Sequence, residues 1–548
     1  QLSGKPQKRN LTLADIDALK PFHWGYHFDA VFARGGFDVI ITNPPWEIFK
    51  PQAKEFFAKY STVVTKNKMD IKTFEKEKNK LLKNPEIAAA WNEYQSQFPH
   101  VSAYFRSSED YANQISIVNG KKAGTDINLY KLFLERCYHL LRNGGECGIV
   151  IPSGIYTDLG TKQLREMLFS QTKITGLFCF ENRKEIFEGV HRSFKFVILT
   201  FEKGGQTDSF PVRFMRHDVS ELANFPSPDD IVLDVPLIRK LSPDSLSVME
   251  FKKPIDIAIA QKMLQFPLLG EKIEGKWNLK LTREFDMTND SHLFKTEPAP
   301  GRLPLYEGKM IHQFTHQFEP SALRYWVDEK EARAAILGKV TDKGQRLDYQ
   351  DYRLGFRKIA RNTDIRTLIS TIIPPNFCSE NFQVALSFDE QGKRLIEYDE
   401  MLFLCALFNS FCVDSVLRQR VSANVNFFYV YQLSIPRLEA GDRWFTEIVE
   451  RAAKLICTTP EFDDLWRAVF PEPPASSPLV AEGFRARGVT DEAERAKLRA
   501  ELDGIIAHIY GLTEEEFAHI LSTFPLVPDA TKEAALQAYR DVERGLIL

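Results

Sequence analysis

The sequence predicts an α/β fold for residues 1–204, with a partial doubly wound (Rossmann-like) sheet, followed by an α+β domain and a helical C-terminal region. Three observations support this prediction. Strand-like and helix-like segments alternate up to residue 204, shorter aromatic-rich elements follow over 251–440, and amphipathic helices fill 441–548. A length of 548 residues is enough for about three or four domains that each bury a core.

The first 204 residues justify the α/β prediction element by element. The apolar run 37–41 is typical of a buried parallel strand, and the polar stretch 61–122 is interpreted as an insertion. A helix is predicted over 126–142, stopped by Asn143-Gly144-Gly145, and a buried strand over 147–151. A helix over 161–169 and strands over 174–180 and 194–201 follow.

The rest of the chain divides at two breaks. Residues 205–250 are rich in Pro and Asp and are interpreted as a linker, and 471–478 form a second Pro-rich break. A helix is predicted over 491–509. Thr513 and Glu516 have the spacing of a capping box that opens the next helix.

Composition excludes several classes of protein. The apolar fraction of 44% and charged fraction of 26% exclude global disorder and fibrous folds. With 71 basic against 74 acidic residues, bulk charge alone cannot hold the chain to nucleic acid. The seven cysteines include no C-x-x-C pair, which argues against a disulfide framework or a structural zinc site. Without a secretory signal or an apolar run of ~20 residues, a cytoplasmic protein with no membrane contact and no metal is expected.

The tetrapeptide Asn43-Pro44-Pro45-Trp46 follows the first strand, where an α/β sheet binds its ligand. The Asn43 side-chain oxygen and the Pro44 carbonyl can accept both N–H bonds of an exocyclic amine and so free its lone pair for attack. The prolines hold both acceptors rigid. Trp46 offers a face on which an extruded base can stack. The alternative interpretation is a rigid turn with a buried tryptophan.

This motif resembles the N-P-P-[Tyr/Phe/Trp] motif of the class I amino-methyltransferases that use S-adenosylmethionine. Together with 35–47, 128–133, 140–146 and 149–152, it is similar to large DNA adenine-N6 methyltransferases, above all type IIG restriction-modification enzymes and phage-defence methylases. The resemblance covers about residues 20–205, with weaker similarity to 530. It implies site-specific methyl transfer from S-adenosylmethionine to adenine N6 in double-stranded DNA, by base flipping. It also implies that other subunits of a defence system are candidate partners.

The resemblance also implies roles for single residues. The catalytic residues would be Asn43, Pro44, Pro45 and Trp46, with Asn43 and Pro45 also contacting the cofactor. The family places an aromatic that sandwiches the flipped base before the strand 197–201. Phe194 is the candidate and Phe196 the runner-up, against the alternative of a core aromatic.

A basic cluster with interleaved aromatics marks the α+β domain, the expected target-recognition domain. Basic side chains of this kind suit phosphate contacts, and nearby asparagines suit adenine edges. The candidate DNA-binding residues are Arg353, Arg357, Lys358, Arg361, Arg366, Asn424 and Asn426. A charged helix face and buried structural amides are the alternatives.

Parts of the family pattern are absent from this sequence. The F-x-G-x-G loop that binds the methionine moiety lies upstream of N-P-P-W in the family and has no counterpart here. We therefore expect the chain to enter the fold just before its fourth strand and to bind S-adenosylmethionine weakly or not at all in isolation. No nuclease motif appears. Two other interpretations remain: a DNA-recognition or scaffold fragment without activity of its own, and an amino-methyltransferase acting on RNA or protein.

Overall fold

The structure is a computed structural model that describes residues 10, 12–61, 64, 71–118, 120–122, 126–389, 391–421, 424–470 and 488–547. The chain divides into two compact units, Gln1–Val248 and Met249–Leu548, called unit 1 and unit 2. The break predicted over 471–478 lies outside the described residues, as do 422 and 423 in the predicted recognition stretch.

Unit 1 is built on a six-stranded sheet in the order β1-β4-β6-β5-β7-β8, and β2 and β3 form a separate hairpin. The strands are β1 Phe37–Thr42, β2 Ile117–Val118, β3 Lys121–Lys122, β4 Leu141–Pro152, β5 Thr172–Glu181, β6 Lys195–Lys203, β7 Ser209–Arg216 and β8 Ile231–Asp234. The helices are α1 Leu13–Ala18, α2 Trp24–His27, α3 Asp29–Phe32, α4 Ala53–Ala58, α5 Ile71–Leu81, α6 Pro85–Ser107, α7 Leu129–Leu140, α8 Gly154–Thr157, α9 Lys162–Gln171 and α10 Val235–Leu241.

The sheet of unit 1 is mixed. Strand β1 runs parallel to β4, and β5 runs parallel to β7, whereas β6 lies antiparallel between β4 and β5. The connections from β1 to β4 and from β4 to β5 contain α7 and α9, which both contact the short turn Glu109–Gln114 and so share one face of the sheet. The α/β class is therefore confirmed, but the sheet is not purely parallel.

Helix α7 ends earlier than the sequence predicts. It stops at Leu140, and β4 starts at Leu141 and continues to Pro152. The pairing of β1 with β4 is irregular between Phe37 and Val39, so Asn143-Gly144-Gly145 forms a bulge inside β4 instead of ending a helix. Residues 142–145 of β4 lie opposite the single residue Asp38, so the ladder is interrupted locally and resumes at Val39 and Glu146.

Strand β1 is not the buried strand predicted from its apolar run. It pairs only with β4 among the described strands, and Val39 and Ile41 are 55% and 84% exposed. Periodicity shows that a segment is apolar, but it does not show whether another layer covers it. The predicted parallel pairing is confirmed, whereas the predicted burial is wrong, because no layer within the described residues covers Val39 and Ile41.

The predicted insertion contributes its own small core to unit 1. Helices α5 and α6 lie between β1 and α7, and Phe56, Phe57, Phe74 and Trp91 pack together with α4. These rings are 9% exposed or less. The stretch between β1 and α7 therefore packs as a helical substructure, with the hairpin of β2 and β3 after it.

Residues 205–250 are not a linker. Strands β7 and β8 extend the sheet next to β5, and α10 follows them. Alternate residues of β7, Phe210, Val212 and Phe214, are buried, which supplies the apolar face that a sheet strand needs. Part of the Pro and Asp content that indicated a linker lies in the connection from β7 to β8, at Asp218, Pro226, Pro228, Asp229 and Asp230.

Unit 2 joins the regions 251–440 and 441–548, which the sequence separates into two domains. It has two four-stranded sheets, β10-β12-β11-β15 and β14-β13-β16-β9. The strands are β9 Leu281–Thr282, β10 Phe294–Lys295, β11 Arg302–Tyr306, β12 Trp326–Asp328, β13 Arg353–Arg357, β14 Ser370–Ile373, β15 Phe377–Cys378 and β16 Phe382–Ala385.

Ten helices complete the described part of unit 2. They are α11 Pro254–Met263, α12 Glu329–Leu337, α13 Tyr398–Asn409, α14 Phe411–Arg418, α15 Phe427–Tyr431, α16 Phe445–Ile456, α17 Asp463–Val469, α18 Glu492–Ile509, α19 Glu514–Ser522 and α20 Asp529–Glu543. The predicted capping box is present, because Thr513 accepts from the Glu516 backbone at 3.2 Å and donates its own backbone N–H to the Glu516 carboxylate at 2.7 Å. Contacts of α13 with α16 and β14 join helices from both predicted domains to one core.

Within the described ranges, no single helix is long and apolar enough to cross a membrane. Only α13 and α14 together reach the required length and composition, and they are bent by 60°. Both helices are buried within unit 2.

Candidate active site

The N-P-P-W motif follows β1 directly, at the carboxyl end of the strand. The Trp46 indole N–H donates to the Val150 carbonyl of β4 at 3.3 Å, which anchors the ring against the neighbouring strand. Asn43 and Pro45 are exposed, whereas Pro44 is buried. Neither the Asn43 amide nor the Pro44 carbonyl has a hydrogen-bond partner within the described residues. Both acceptors therefore keep a free hydrogen-bonding capacity within the described part of the chain, and the exposed Asn43 amide is the one that solvent reaches.

The segment after the motif is tied to the start of α7. The Leu129 backbone donates to the Glu47 carbonyl at 2.9 Å, and the Phe49 backbone donates to the Ile127 carbonyl at 2.7 Å. These two bonds bring the predicted segment 128–133 alongside N-P-P-W, although about eighty residues separate them in the sequence. The motif is thus held from β4 on one side and from α7 on the other.

Three phenylalanines surround Trp46. Phe194 stacks on it with ring centroids 5.6 Å apart and planes inclined by 11°, and Phe187 meets it edge-on at 5.1 Å. Phe196 lies at 5.9 Å but is buried, whereas Phe194 is 36% exposed. The structure thus brings the predicted pair Trp46 and Phe194 together, and Phe194 is the ring that solvent reaches. Sequence reasoning missed Phe187, which only its place in the β5–β6 connection could have indicated.

Ion pairs fix the carboxyl end of β5 beside this aromatic cluster. The buried Glu181 carboxylate accepts from Arg183 at 2.6 Å and from His217 at 3.0 Å. Lys184 pairs with Asp218 at 2.7 Å, and hydrogen bonds from Lys184 and then Ser220 hold the pKa of Asp218 well below its usual range. The base of the connection from β5 to β6 is therefore anchored on both sides.

Two of the predicted DNA-binding arginines lie inside unit 2. Arg353 is buried and pairs with Glu284 at 2.8 Å, and Arg366 is buried and pairs with Asp414 at 2.7 Å. A buried guanidinium keeps its charge because a carboxylate and further acceptors surround it, so neither group is presented to a phosphate on the surface. The expectation of DNA contacts for Arg353 and Arg366 is corrected on this ground.

Two further members of the basic cluster already have partners. The Arg357 Nε–H donates to the Ile311 carbonyl at 2.9 Å, and Lys358 pairs with Glu380 at 2.9 Å. Burial lowers the pKa of the Arg357 guanidinium. These contacts hold β13 and its neighbours together, and they leave each side chain half-buried.

The remaining candidates come together at the surface. Arg361, Asn424 and Asn426 are exposed, and a backbone bridge joins Ile359 to Asn424. Ile365 is also exposed on the same turn. We call residues 359–365 with 424–426 the 359/424 surface. It combines Arg361 and the exposed Asp364 with three asparagines and two exposed isoleucines. Asparagine amides can both donate to and accept from base edges.

No metal site accompanies these residues. His312 and His316 are four residues apart, but His312 lies in a turn with Thr315, and His316 lies 3.4 Å from Glu461. Burial, followed by the nearby charge of Arg357, lowers the pKa of His312 to about 4. Across the described ranges, no group of three or more His, Cys, Asp and Glu side chains could hold a metal ion.

Comparison with known proteins shows which proteins this chain is similar to. Residues 5–89 and 99–187 match the family model of the Eco57I restriction-modification methylase. The chain resembles a restriction-modification methylase. This resemblance, predicted from N-P-P-W and its flanking segments, is confirmed. A putative type II restriction enzyme and methyltransferase of Methanocaldococcus jannaschii, RM.MjaORFECS2P, is 39% identical to this methylase-like chain over 85 residues, which is 15% of this chain and 7% of that protein.

Solved structures of restriction-modification enzymes also align with this methylase-like chain. The type IIL enzyme MmeI in complex with DNA aligns over 91% of this chain and 58% of its own, with 13% identity and a TM-score of 0.44. A nuclease-deletion mutant of the type ISP enzyme LlaGI, with a DNA substrate mimic, aligns over 81% and 44%, with 11% identity and a TM-score of 0.40. The chain therefore spans less than two thirds of the length of each.

Proposed function

We propose that this chain is the part of a site-specific DNA methyltransferase that transfers a methyl group from S-adenosylmethionine to adenine N6. The observation that carries the proposal is the pair of unpartnered acceptors, the Asn43 side-chain oxygen and the Pro44 carbonyl, beside the stacked rings of Trp46 and Phe194. The match of residues 5–89 and 99–187 to a methylase family model supports it.

The chemistry at N6 requires orientation more than a strong base. The adenine amine is conjugated with its ring, so its lone pair is a poor nucleophile. When the Asn43 and Pro44 oxygens accept its two N–H bonds, the nitrogen becomes more tetrahedral. Its lone pair can then form the new N–C bond while the methyl C–S bond of the donor would break and leave a neutral thioether. The nitrogen then carries a positive charge until it loses one proton, and the two oxygens stabilise that charge.

The donor would lie at the carboxyl end of β1, where open α/β sheets bind ligands. When bound, S-adenosylmethionine supplies the electrophilic methyl group. Asn43 and Pro45 are exposed at this end of the strand, so their chemistry and position fit a contact with it. Strands β1, β4 and β5, connected through α7 and α9, would be the later part of a Rossmann-like methyltransferase sheet.

The base has to leave the duplex to reach these acceptors. Stacking on Trp46 would supply ~1–3 kcal/mol. A base between two parallel rings needs about 7 Å between them, twice the ~3.4 Å repeat of stacked DNA. Trp46 and Phe194 are 5.6 Å apart, so one ring has to move. Trp46 is anchored to Val150, which leaves the exposed Phe194 as the ring that moves.

Double-stranded DNA would be positioned by unit 2. The 359/424 surface supports this, because Arg361 suits a phosphate and Asn424 and Asn426 suit adenine edges. Since Arg353 and Arg366 are buried, sequence selection would rest on this exposed turn and not on the whole basic cluster.

Substitution of Asn43 by Ala tests the proposal in the whole methyltransferase of which this chain is proposed to be a part, because the chain alone is expected to bind S-adenosylmethionine weakly or not at all. We expect Asn43→Ala to lower incorporation of labelled methyl groups into unmethylated DNA by at least about 100-fold, because one acceptor for the amine is lost. DNA affinity, measured by fluorescence polarisation, should stay within about twofold, since the substitution removes no positive charge.

Asn143→Ala is the matched control. Asn143 is an exposed asparagine in the bulge near the amino end of β4, whereas Trp46 bonds to Val150 near the carboxyl end of that strand. It should leave methyl transfer unchanged. Undiminished transfer by Asn43→Ala would contradict the assignment. DNA binding without any transfer by the unsubstituted whole methyltransferase would favour the alternative of a DNA-recognition protein.

A further inference from the structure

The connection from β5 to β6 carries two of the rings that surround Trp46. Residues 183–194, called the aromatic loop, contain Phe187 and Phe194, and the loop leaves β5 through the fully buried Asn182. The Asn182 Oδ1 accepts from the Phe187 N–H at 2.9 Å. Its Nδ2 donates to the carbonyls of Phe187 and Val190, both at 2.9 Å.

A fourth bond ties Asn182 to the backbone of Phe194, the residue that carries the stacking ring. The Asn182 backbone N–H donates to the Phe194 carbonyl at 2.9 Å. One buried residue therefore holds the loop at its start, in its middle and at its end. Its amide offers one acceptor and two donors, and the loop uses all of them.

The outer part of the aromatic loop has weaker support. Glu188 and Gly189 are exposed, and the ion pair of Arg192 with Glu185 at 3.0 Å is exposed on both sides. Exposed ion pairs contribute little to stability. The buried amide bonds of Asn182 are worth more, because a carbonyl or N–H left unpaired there would have lost its water as well.

We propose that Asn182 is a positioning residue that sets the distance between Phe194 and Trp46 and so controls entry of the flipped base. The inference deepens the proposed function and rests on it. With the amide bonds intact, the base of the loop stays fixed while the exposed Phe194 ring swings away from Trp46. Without them, the loop separates from β5, and Phe187 and Phe194 lose their place beside Trp46.

Hydrogen exchange on the whole chain tests the anchoring without any assay of activity. Asn182→Asp keeps the shape of the side chain but replaces the Nδ2 donor by a carboxylate oxygen. That oxygen then faces the carbonyls of Phe187 and Val190, to which it cannot donate. We expect peptides from 183–194 to exchange at least about tenfold faster, because the two bonds from Nδ2 to the carbonyls of Phe187 and Val190 are lost and the loop opens more often. Peptides from β5 and β6 should exchange as before. Unchanged protection of the loop would overturn the proposal.

Asn278 supplies a matched control in unit 2. Its Oδ1 accepts from the Ile273 backbone at 2.8 Å, and its Nδ2 donates to the carbonyls of Ile273 and Lys276. Asn278→Asp should speed exchange in 273–276 and leave the aromatic loop unchanged. If Asn182→Asp disturbs β5 and β6, Asn182→Ser removes the same bonds without a buried charge, and a loop still protected in that variant would equally overturn the proposal.

A double substitution separates positioning from a general structural role. Asn182→Asp should lower kcat about 100-fold, the cost of a misplaced reacting group, with DNA affinity within about twofold. In a Phe194→Ala background, adding Asn182→Asp should change kcat by no more than about twofold, because the ring through which it acts is gone. If the two substitutions act independently, so that their fold losses of kcat multiply in the double variant, the proposal is overturned. These kcat values are measured on the whole methyltransferase; absence of methyl transfer by its unsubstituted form would contradict the proposed function, and the exchange data would still decide the anchoring.

Discussion

A single buried carboxyl group, that of Asp503, makes the stability of this protein depend on pH. Its carboxylate accepts from the Phe411 backbone at 2.7 Å, at the start of α14. Burial raises the pKa of Asp503 to about 7, against the opposing charge of Arg366. The folded state therefore holds a proton on this carboxyl at pH values where the unfolded chain, with an ordinary pKa near 4, has released it.

We expect Asp503→Asn to stabilise the protein at neutral pH. Since the folded state binds more protons between about pH 4 and pH 7, wild-type stability falls as the pH rises through that window. The asparagine keeps an acceptor for Phe411 but cannot ionise. The gain at pH 8 should be at most about 4 kcal/mol and should vanish near pH 4.

Thermal unfolding midpoints of wild type and variant across this pH range measure the effect. Asp229→Asn, an exposed position, is the control and should leave the difference between pH 4 and pH 8 unchanged. Equal pH dependence in wild type and Asp503→Asn would show that Asp503 is not the responsible group.

At the scale of elements, the residue before β1, Gly36, packs against the turn between α7 and β4. Gly36 has a φ of +127°, and a Cβ there would lie 2.5 Å from the Leu140 carbonyl oxygen and 2.8 Å from the Arg142 nitrogen. The backbone that leads into β1 thus passes directly against the turn where α7 becomes β4. Only glycine permits both the conformation and the approach.

We expect Gly36→Ala to lower the free energy of unfolding by about 3 kcal/mol or more, since an unfavourable φ and an overlap with backbone atoms add together. Urea unfolding measures it. Gly189→Ala separates the two causes, because Gly189 also has a positive φ of +76° but nothing lies within 4 Å of its Cβ position. That variant should lose only about 1 kcal/mol. Equal losses would show that the close approach to Leu140 does not matter.

At the scale of the whole molecule, the two units bury separate cores. In unit 1 the rings of Phe178, Phe180 and Phe196 pack with the aromatic loop. In unit 2 one core forms around Ile311 and Phe382, and a neighbouring one forms around Val327 and Phe377. Since each unit has its own apolar interior, each meets the main requirement for folding alone.

We expect residues 249–548, expressed alone, to unfold cooperatively in urea and to bind DNA with an affinity that falls as salt rises. Arg361→Ala should lower the slope of log K against log salt by about 1, because one phosphate contact is lost. Arg443→Ala is the control, since Arg443 is exposed elsewhere in unit 2. A slope unaffected by Arg361→Ala would remove the 359/424 surface from the proposed interface.

Much of the candidate site could be predicted from the sequence. N-P-P-W stands at the end of a strand, Phe194 contacts Trp46, and Thr513 caps its helix as its spacing indicates. Each of these depends on a few consecutive residues or on a motif that resembles a known family. The sequence did not indicate Asn182, because a buried asparagine that binds its own loop has no distinctive pattern.

The sequence by itself determined the α/β class, the motif and the aromatic residue set against it, because strand patterning and motif chemistry are local. Only the tertiary structure decided that β1 is an edge, that 205–250 adds strands to the sheet, and that Arg353 and Arg366 are buried. The carboxylates that neutralise these two arginines lie 69 and 48 residues away in the chain. Burial of a charge depends on partners that folding brings from such distances, so composition near residue 360 could not separate an interior ion pair from a DNA contact.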